Sequence, residues 1–151
     1  MFHKALHLDI KDGTRLEVTF QSGEVKSYDM AVLFAKYPQL EALKDRKLFE
    51  SGRLQGQYGI IWTDELDVDV ETVYEDGLLI QTKPISGANI AGAAVYEARI
   101  RVGLTQRQLA ELCGIRQSDL SKIERGTGNP SLKTLERIAS ALECKLHIEI
   151  E

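Results

Sequence analysis

The sequence predicts an α+β chain, with a small antiparallel-sheet-plus-helix module in front and an all-helical module with a C-terminal strand behind. Three observations predict it. Apolar and polar residues alternate over residues 6–28, interrupted by turn signals. Helical periodicity with cap residues recurs from about 89 to 142. Lys83-Pro84-Ile85-Ser86-Gly87 separates the two patterns, because proline stops the preceding element and Ser86 or Asn89 can cap the next. The expected domains are therefore 1–85, small and α+β, and 86–151, helical.

The elements follow in order. Leu6, Leu8 and Ile10 form one strand and Leu16, Val18 and Phe20 the next, joined through Asp12-Gly13, a strong hairpin signal. A second turn at Ser22-Gly23 leads to a third strand with Val25 and Tyr28, completing a meander with one apolar face. A helical segment over about 30–42, interrupted at Pro38, brings Val32, Leu33, Leu40 and Leu43 to cover that face. Gly59-Ile60-Ile61-Trp62 reads as another strand, and residues 68–77 as a short helical turn ending at Gly77.

In the second module a helix over about 89–102 carries Val95, Ala98 and Val102 on its apolar face and stops at Gly103. Thr105 caps a helix over 106–113, with Gln108 completing a capping box. Gly114 permits a tight turn, Ile115 plugs the core, and a helix over about 117–125 buries Leu120 and Ile123. Ser131 caps a last helix with Leu132, Leu135, Ile138, Ala139 and Leu142 at helical spacing. Leu146, Ile148 and Ile150 then alternate as a strand, which must pair within the front sheet or with its counterpart in a second subunit.

Composition narrows the function classes. With 43% hydrophobic and 28% charged residues, the chain is an ordinary folded protein and not a disordered one. No apolar run approaches a membrane span and the N-terminus lacks a signal-peptide pattern, so a cytoplasmic protein is expected. Cys113 and Cys144 lack metal-ligand spacing and read as reduced core thiols; His3, His7 and His147 are scattered. No metal and no cofactor is expected. The seven acidic residues between Asp64 and Asp76 lack the glycine of a calcium loop and read as a solvated rim. Residues 86–92 lack the Lys-Ser/Thr of a phosphate-binding loop and read as a closely packed helix start. No nucleophile–base set or acid–base pair stands out, so no catalytic residue is assigned and the chain is not expected to be an enzyme.

The net charge of −4 divides unevenly. Residues 1–87 hold 10 basic and 15 acidic side chains, whereas residues 99–137 hold 8 basic and 4 acidic. The basic excess coincides with the helix over 117–125, whose exposed Gln117, Ser118, Ser121 and Lys122 can hydrogen-bond base edges. The short turn makes it cross the preceding helix steeply and protrude. Gln pairs bidentately with adenine and Lys reaches guanine. Free N–H groups at the start of the 106–113 helix, with Gln106 beside them, suit a phosphate. Arg116, Arg125, Thr127 and Asn129 would flank the DNA backbone.

The motifs Gly103-Leu104-Thr105-Gln106, Leu109-Ala110, Gly114-Ile115, Gln117-Ser118, Leu120 to Gly126 and Asn129-Pro130-Ser131-Leu132 resemble the Cro/CI-type (XRE) helix-turn-helix family over about residues 90–146. The resemblance implies a lambda-repressor-like fold and binding to double-stranded DNA. It assigns Gln117, Ser118, Ser121 and Lys122 as base readers, and Thr105, Gln106, Arg125 and Asn129 as backbone contacts. It also implies a structural ion pair between Arg99 and Glu124. Two positions depart from the family. Arg116 replaces a Ser or Thr cap, and Asp119 near the groove repels DNA unless it accepts from cytosine or turns aside.

The Asp12-Gly13 hairpin, Phe20-x-x-Gly23, Asp29-Met30, Gly59 to Trp62 and Asp67-x-Asp69-x-x-Thr72-x-Tyr74 resemble a small bacterial family of unknown function, which implies an α+β fold and no activity. A homodimer reading two half-sites is expected, since one helix-turn-helix contacts little DNA. The leading expectation is thus a sequence-specific transcriptional regulator whose front module serves dimerisation, ligand sensing or partner binding. The alternative is an antitoxin-like protein, in which residues 1–85 bind a protein partner and the helical module autoregulates its operon.

Overall fold

The computed structural model describes residues 2–150. The chain divides into two compact units, Met1–Ile85 and Ser86–Glu151. No helix among the described residues is long and apolar enough to cross a membrane.

The first unit opens with the meander: β1 (Ala5–Ile10), β2 (Arg15–Phe20) and β3 (Glu24–Asp29). Their antiparallel register sets Leu8 against Val18 and Leu16 against Tyr28. Between β1 and β2 the chain reverses at Gly13, where φ is +65°, and Lys11 N–H donates to the Arg15 carbonyl. A second sheet holds β4 (Arg53–Gln55), β5 (Gly59–Thr63) and β6 (Leu66–Asp69) in that order. Between the sheets in sequence stands α1 (Arg46–Glu50), capped by Asp45, which accepts from Leu48 N–H. The helix α2 (Val70–Asp76) is followed by β7 (Leu78–Thr82), which pairs antiparallel with β3 and makes the first sheet four-stranded, in the order β1-β2-β3-β7. The core is built from Leu16, Val18, Phe20, Met30, Leu43, Phe49, Ile60, Val70 and Val73, each at most 1% exposed. Trp62 packs on Phe49 and its indole N–H donates to the Phe49 carbonyl at 3.0 Å.

Four expectations for this unit are corrected. The interrupted helix over 30–42 is two 3-10 segments, Met30–Leu33 and Pro38–Lys44. The cause is Pro38, which drives Tyr37 to φ −128°, ψ 81°, away from helical values. The tighter winding takes Val32 off the inner face, and it is exposed while Met30 is buried. The helix ending at Gly77 begins at Val70 and not at 68, because Val68 and Asp69 belong to β6 and the Asp69 carboxylate caps α2 by accepting from Glu71 N–H. The meander gains β7, whose five residues lack polar–apolar alternation and are exposed throughout.

Three carboxylates of this unit sit below their usual range. Tyr74 donates its hydroxyl hydrogen to Glu24, Thr14 and then Ala31 N–H donate to Asp29, and His3 donates its backbone N–H to Glu71 and pairs with it through its ring. A carboxyl group depressed in the folded state adds stability above its unfolded value and loses it as pH falls through the folded one. The first unit should therefore lose stability in acid, in a window opening below about pH 5. Trp62 fluorescence in urea at stepped pH measures it. Asp29→Asn should flatten the acid limb, and an unchanged slope would remove Asp29 from this account.

The second unit contains α3 (Gly87–Val102), α4 (Gln106–Cys113), α5 (Gln117–Glu124) and α6 (Leu132–Ala141). Its core is Val95, Leu109, Ala110, Cys113, Leu120, Ile123, Ile138 and Leu142. Val102 and Leu132, expected on inner faces, are 50% and 60% exposed. Each is the end residue of its helix, where no neighbouring turn covers it. The C-terminal strand is also corrected. Residues 144–150 adopt no regular structure, because a strand requires a hydrogen-bonded neighbour and none is present in this unit among the described residues.

Candidate nucleic-acid interface

Local chemistry fixes the ends of each helix in the second unit. Ser86 caps α3 and Asn89 returns the bond, a capping box. Thr105 and Gln108 do the same for α4: Thr105 Oγ1 accepts from Gln108 N–H at 3.1 Å, and Gln108 Oε1 accepts from Thr105 N–H at 2.8 Å. Ser131 caps α6 by accepting from Thr134 N–H. At Arg116, which opens α5, no side chain caps the helix.

The turn between α4 and α5 is three residues, Gly114 to Arg116. Gly114 takes φ +67°, a left-handed conformation that strains any side chain with a Cβ. Gly114 N–H and Ile115 N–H donate back to carbonyls of α4, closing its end. Ile115 tucks against the core. Behind α5, α3 approaches so closely that a Cβ on Gly92 would lie 2.1 Å from the Ile123 carbonyl oxygen. Only glycine fits that crossing without moving backbone.

α5 thus has two faces. Inward, Leu120 is 0% exposed, and Ile123 and Glu124 are buried. Outward, Gln117, Ser118, Asp119 and Lys122 are exposed and Ser121 is half-buried. The four residues expected to read bases therefore lie on one short helix, with Asp119 among them. No Lys or Arg among the described residues pairs with Asp119 at ion-pair distance.

Of the expected backbone contacts, Thr105, Arg116, Arg125, Thr127 and Asn129 are exposed. Thr105 is also engaged as a cap. Arg125 folds back, its Nε–H donating to the Ser121 carbonyl at 3.3 Å, and Thr127 Oγ1 donates to the Lys122 carbonyl at 3.3 Å. Gln106 is half-buried, and its amide donates to Glu124 Oε2 at 2.8 Å. Gln106, expected beside phosphate, is thus engaged by Glu124, a bond that depends on how α4 packs on α5.

Glu124 is the centre of this arrangement. Its carboxylate accepts from Arg99 Nε at 2.6 Å and Nη2 at 3.1 Å, with side chains 8% and 3% exposed. Arg99 Nη1 donates to the Leu104 carbonyl at 2.8 Å, and its guanidinium lies over the Tyr96 ring. Arg99 from α3, Gln106 from α4 and Glu124 from α5 therefore form one network, buried at the ion pair and half-buried at Gln106, that links three helices.

The family model described as "Helix-turn-helix" matches residues 95–148, and that described as "Protein of unknown function (DUF2442)" matches residues 5–77. A protein of Haemophilus influenzae described as an uncharacterized HTH-type transcriptional regulator is 32% identical over 73 residues, covering 46% of this chain and 74% of that protein. One of Methanothermobacter thermautotrophicus with the same description is 42% identical over 55 residues, covering 36% and 78%. The crystal structure of a restriction-modification controller protein from Aeromonas hydrophila is similar at 36% identity, covering 36% of this chain and 83% of that one, with a TM-score of 0.36. With its capped helices, its left-handed glycine turn and its identity to the Haemophilus influenzae and Methanothermobacter thermautotrophicus regulators, the chain belongs to the helix-turn-helix family of DNA-binding transcriptional regulators.

Proposed function

We propose that the protein binds double-stranded DNA sequence-specifically in the cytoplasm, as a homodimer, with α5 in the major groove. The observation that carries this reading is the division of α5 into a buried apolar side and an exposed polar side. Gln117, Ser118, Ser121 and Lys122 read base edges. Because Thr105 and Gln108 use up two donors at the start of α4, the N–H groups of Gln106 and Arg107 remain for a phosphate oxygen. Thr105, Arg116, Arg125, Thr127 and Asn129 flank the backbone and fix register. Gln106 serves mainly to hold α4 on Glu124, with its second amide hydrogen free for phosphate. Two such units on a two-fold axis read half-sites about one helical turn apart.

Selection of bound sequences from random DNA, run at two salt concentrations, tests the reading. On the selected site Gln117→Ala should cost about 1–3 kcal/mol and relax preference at one position. Equal losses on selected and scrambled DNA would remove Gln117 from base recognition.

A further inference from the structure

The edge that β7 gives to the four-stranded sheet is open and apolar. β7 lies last in the order β1-β2-β3-β7, and its outer backbone groups have no backbone hydrogen-bond partner among the described residues. Leu78 is 69%, Leu79 49% and Ile80 45% exposed. Folded proteins normally blunt such edges with charge, proline or cover. The opposite edge follows that rule: Ala5 N–H at the start of β1 donates to the Gln57 carbonyl, and β1 carries His7 and Asp9. β7 carries no charge and no proline. Its one irregularity is a bulge at Ile80, opposite the Val25–Lys26 step of β3, which leaves all three apolar side chains exposed. The charges stand at the ends of the strand. Glu75 and Asp76 precede it and Lys83 follows it; all three are exposed, and none forms an ion pair among the described residues.

We propose that the β7 strands of two copies pair edge to edge in antiparallel orientation, joining their four-stranded sheets across a two-fold axis, and that this seam holds the subunits together. The inference rests on the homodimer reading above and names where the dimer forms. Charge complementarity selects a second copy of this chain as the occupant of the edge. A strand that is acidic before its apolar stretch and basic after it matches its own antiparallel copy, because each acidic end then lies beside a basic end. With the axis at Leu79, Lys83 faces Glu75 of the second copy; with the axis at Ile80, it faces Gly77, one position from Asp76. Pairing also supplies the missing backbone hydrogen bonds of the edge and covers its apolar stretch with that of the second strand. β7 ends at Thr82 and α3 begins at Gly87, so the seam tethers two helix-turn-helix units as well.

Sedimentation of the full-length chain tests this, with far-UV ellipticity and Trp62 fluorescence confirming that each variant is folded. Leu79→Lys and Leu79→Glu each bring like charges together across the seam and should raise the dimer dissociation constant about tenfold. An equimolar mixture of the two variants should associate to within about threefold of the unchanged chain, because opposite charges then meet. Val32→Lys, at a residue 64% exposed on the 3-10 segment Met30–Leu33, should leave the constant unchanged. Variants that dimerise as tightly as the unchanged chain, or that stay weak when mixed, would overturn the seam while leaving the two-subunit reading intact. An equal loss from Val32→Lys would overturn it too, since the effect would not belong to the edge. A chain that stays monomeric at all concentrations, alone and on DNA, would overturn both the seam and the homodimer.

Discussion

A chain carrying Glu124→Ala should lose about 3–5 kcal/mol from the stability of its helical unit, because the change leaves a buried guanidinium without its counter-charge. The Glu124 carboxylate accepts from two nitrogens of Arg99 and from Gln106, and both members of the ion pair are nearly inaccessible to water. After the substitution Arg99 keeps the Leu104 carbonyl and the Tyr96 ring, neither of which carries a full negative charge. Urea unfolding followed by far-UV ellipticity measures the loss, since Trp62, the one tryptophan, lies in the first unit. Replacing both members, Arg99→Met with Glu124→Leu, should cost far less than the sum of the single changes, because no uncompensated charge remains. A loss below about 1 kcal/mol for Glu124→Ala would mean that the pair behaves as a surface bridge and does not hold the three helices. If it does hold them, the variant should also lose preference for the selected DNA site, because the tilt of α5 depends on the link to α3.

Physical origin separates what was legible in the sequence from what was not. The helical unit announces itself through short-range chemistry. Thr105 and Gln108, Gly114, and Ser131 each act within a few residues, and the elements they bound appear in the fold where that chemistry puts them. The outward face of α5 was readable for the same reason, since an eight-residue helix with Leu120 and Ile123 inside leaves few choices for the rest. Long-range features were silent. β7 has no alternation, and it is a strand only because β3 offers it an edge. α1 is five residues long, too short for a period to register. The Gln106–Glu124 bond spans 18 positions and required knowing how α4 and α5 pack. Gly92 was read as a small residue for close packing, but which backbone it meets depends on the crossing of α3 and α5. The C-terminal tail shows the opposite failure. Its pattern is strong, yet pattern alone cannot make a strand without a neighbour to take its hydrogen bonds.

Leu120→Ala should destabilise the helical unit by about 2–5 kcal/mol and do so through a cavity under α5. Leu120 is 0% exposed and packs in the cluster that includes Leu109, Cys113, Ile123 and Ile138. α5 has eight residues and no side-chain cap at Arg116, so it has little helical stability of its own and depends on burial of its inner side. A void at its centre therefore acts on orientation as well as on folding. The expected signature is a loss of affinity for the selected DNA site larger than the unfolded fraction explains, at a temperature where ellipticity still reports a folded chain. Leu132→Ala supplies the comparison. The same side chain is removed from a helix of the same unit, but Leu132 is 60% exposed, and the expected change is within about 0.5 kcal/mol. Similar losses for the two leucines would mean that α5 does not rest on Leu120. An undisturbed DNA affinity in folded Leu120→Ala would mean that the groove-facing side chains hold their positions without support from the core beneath them.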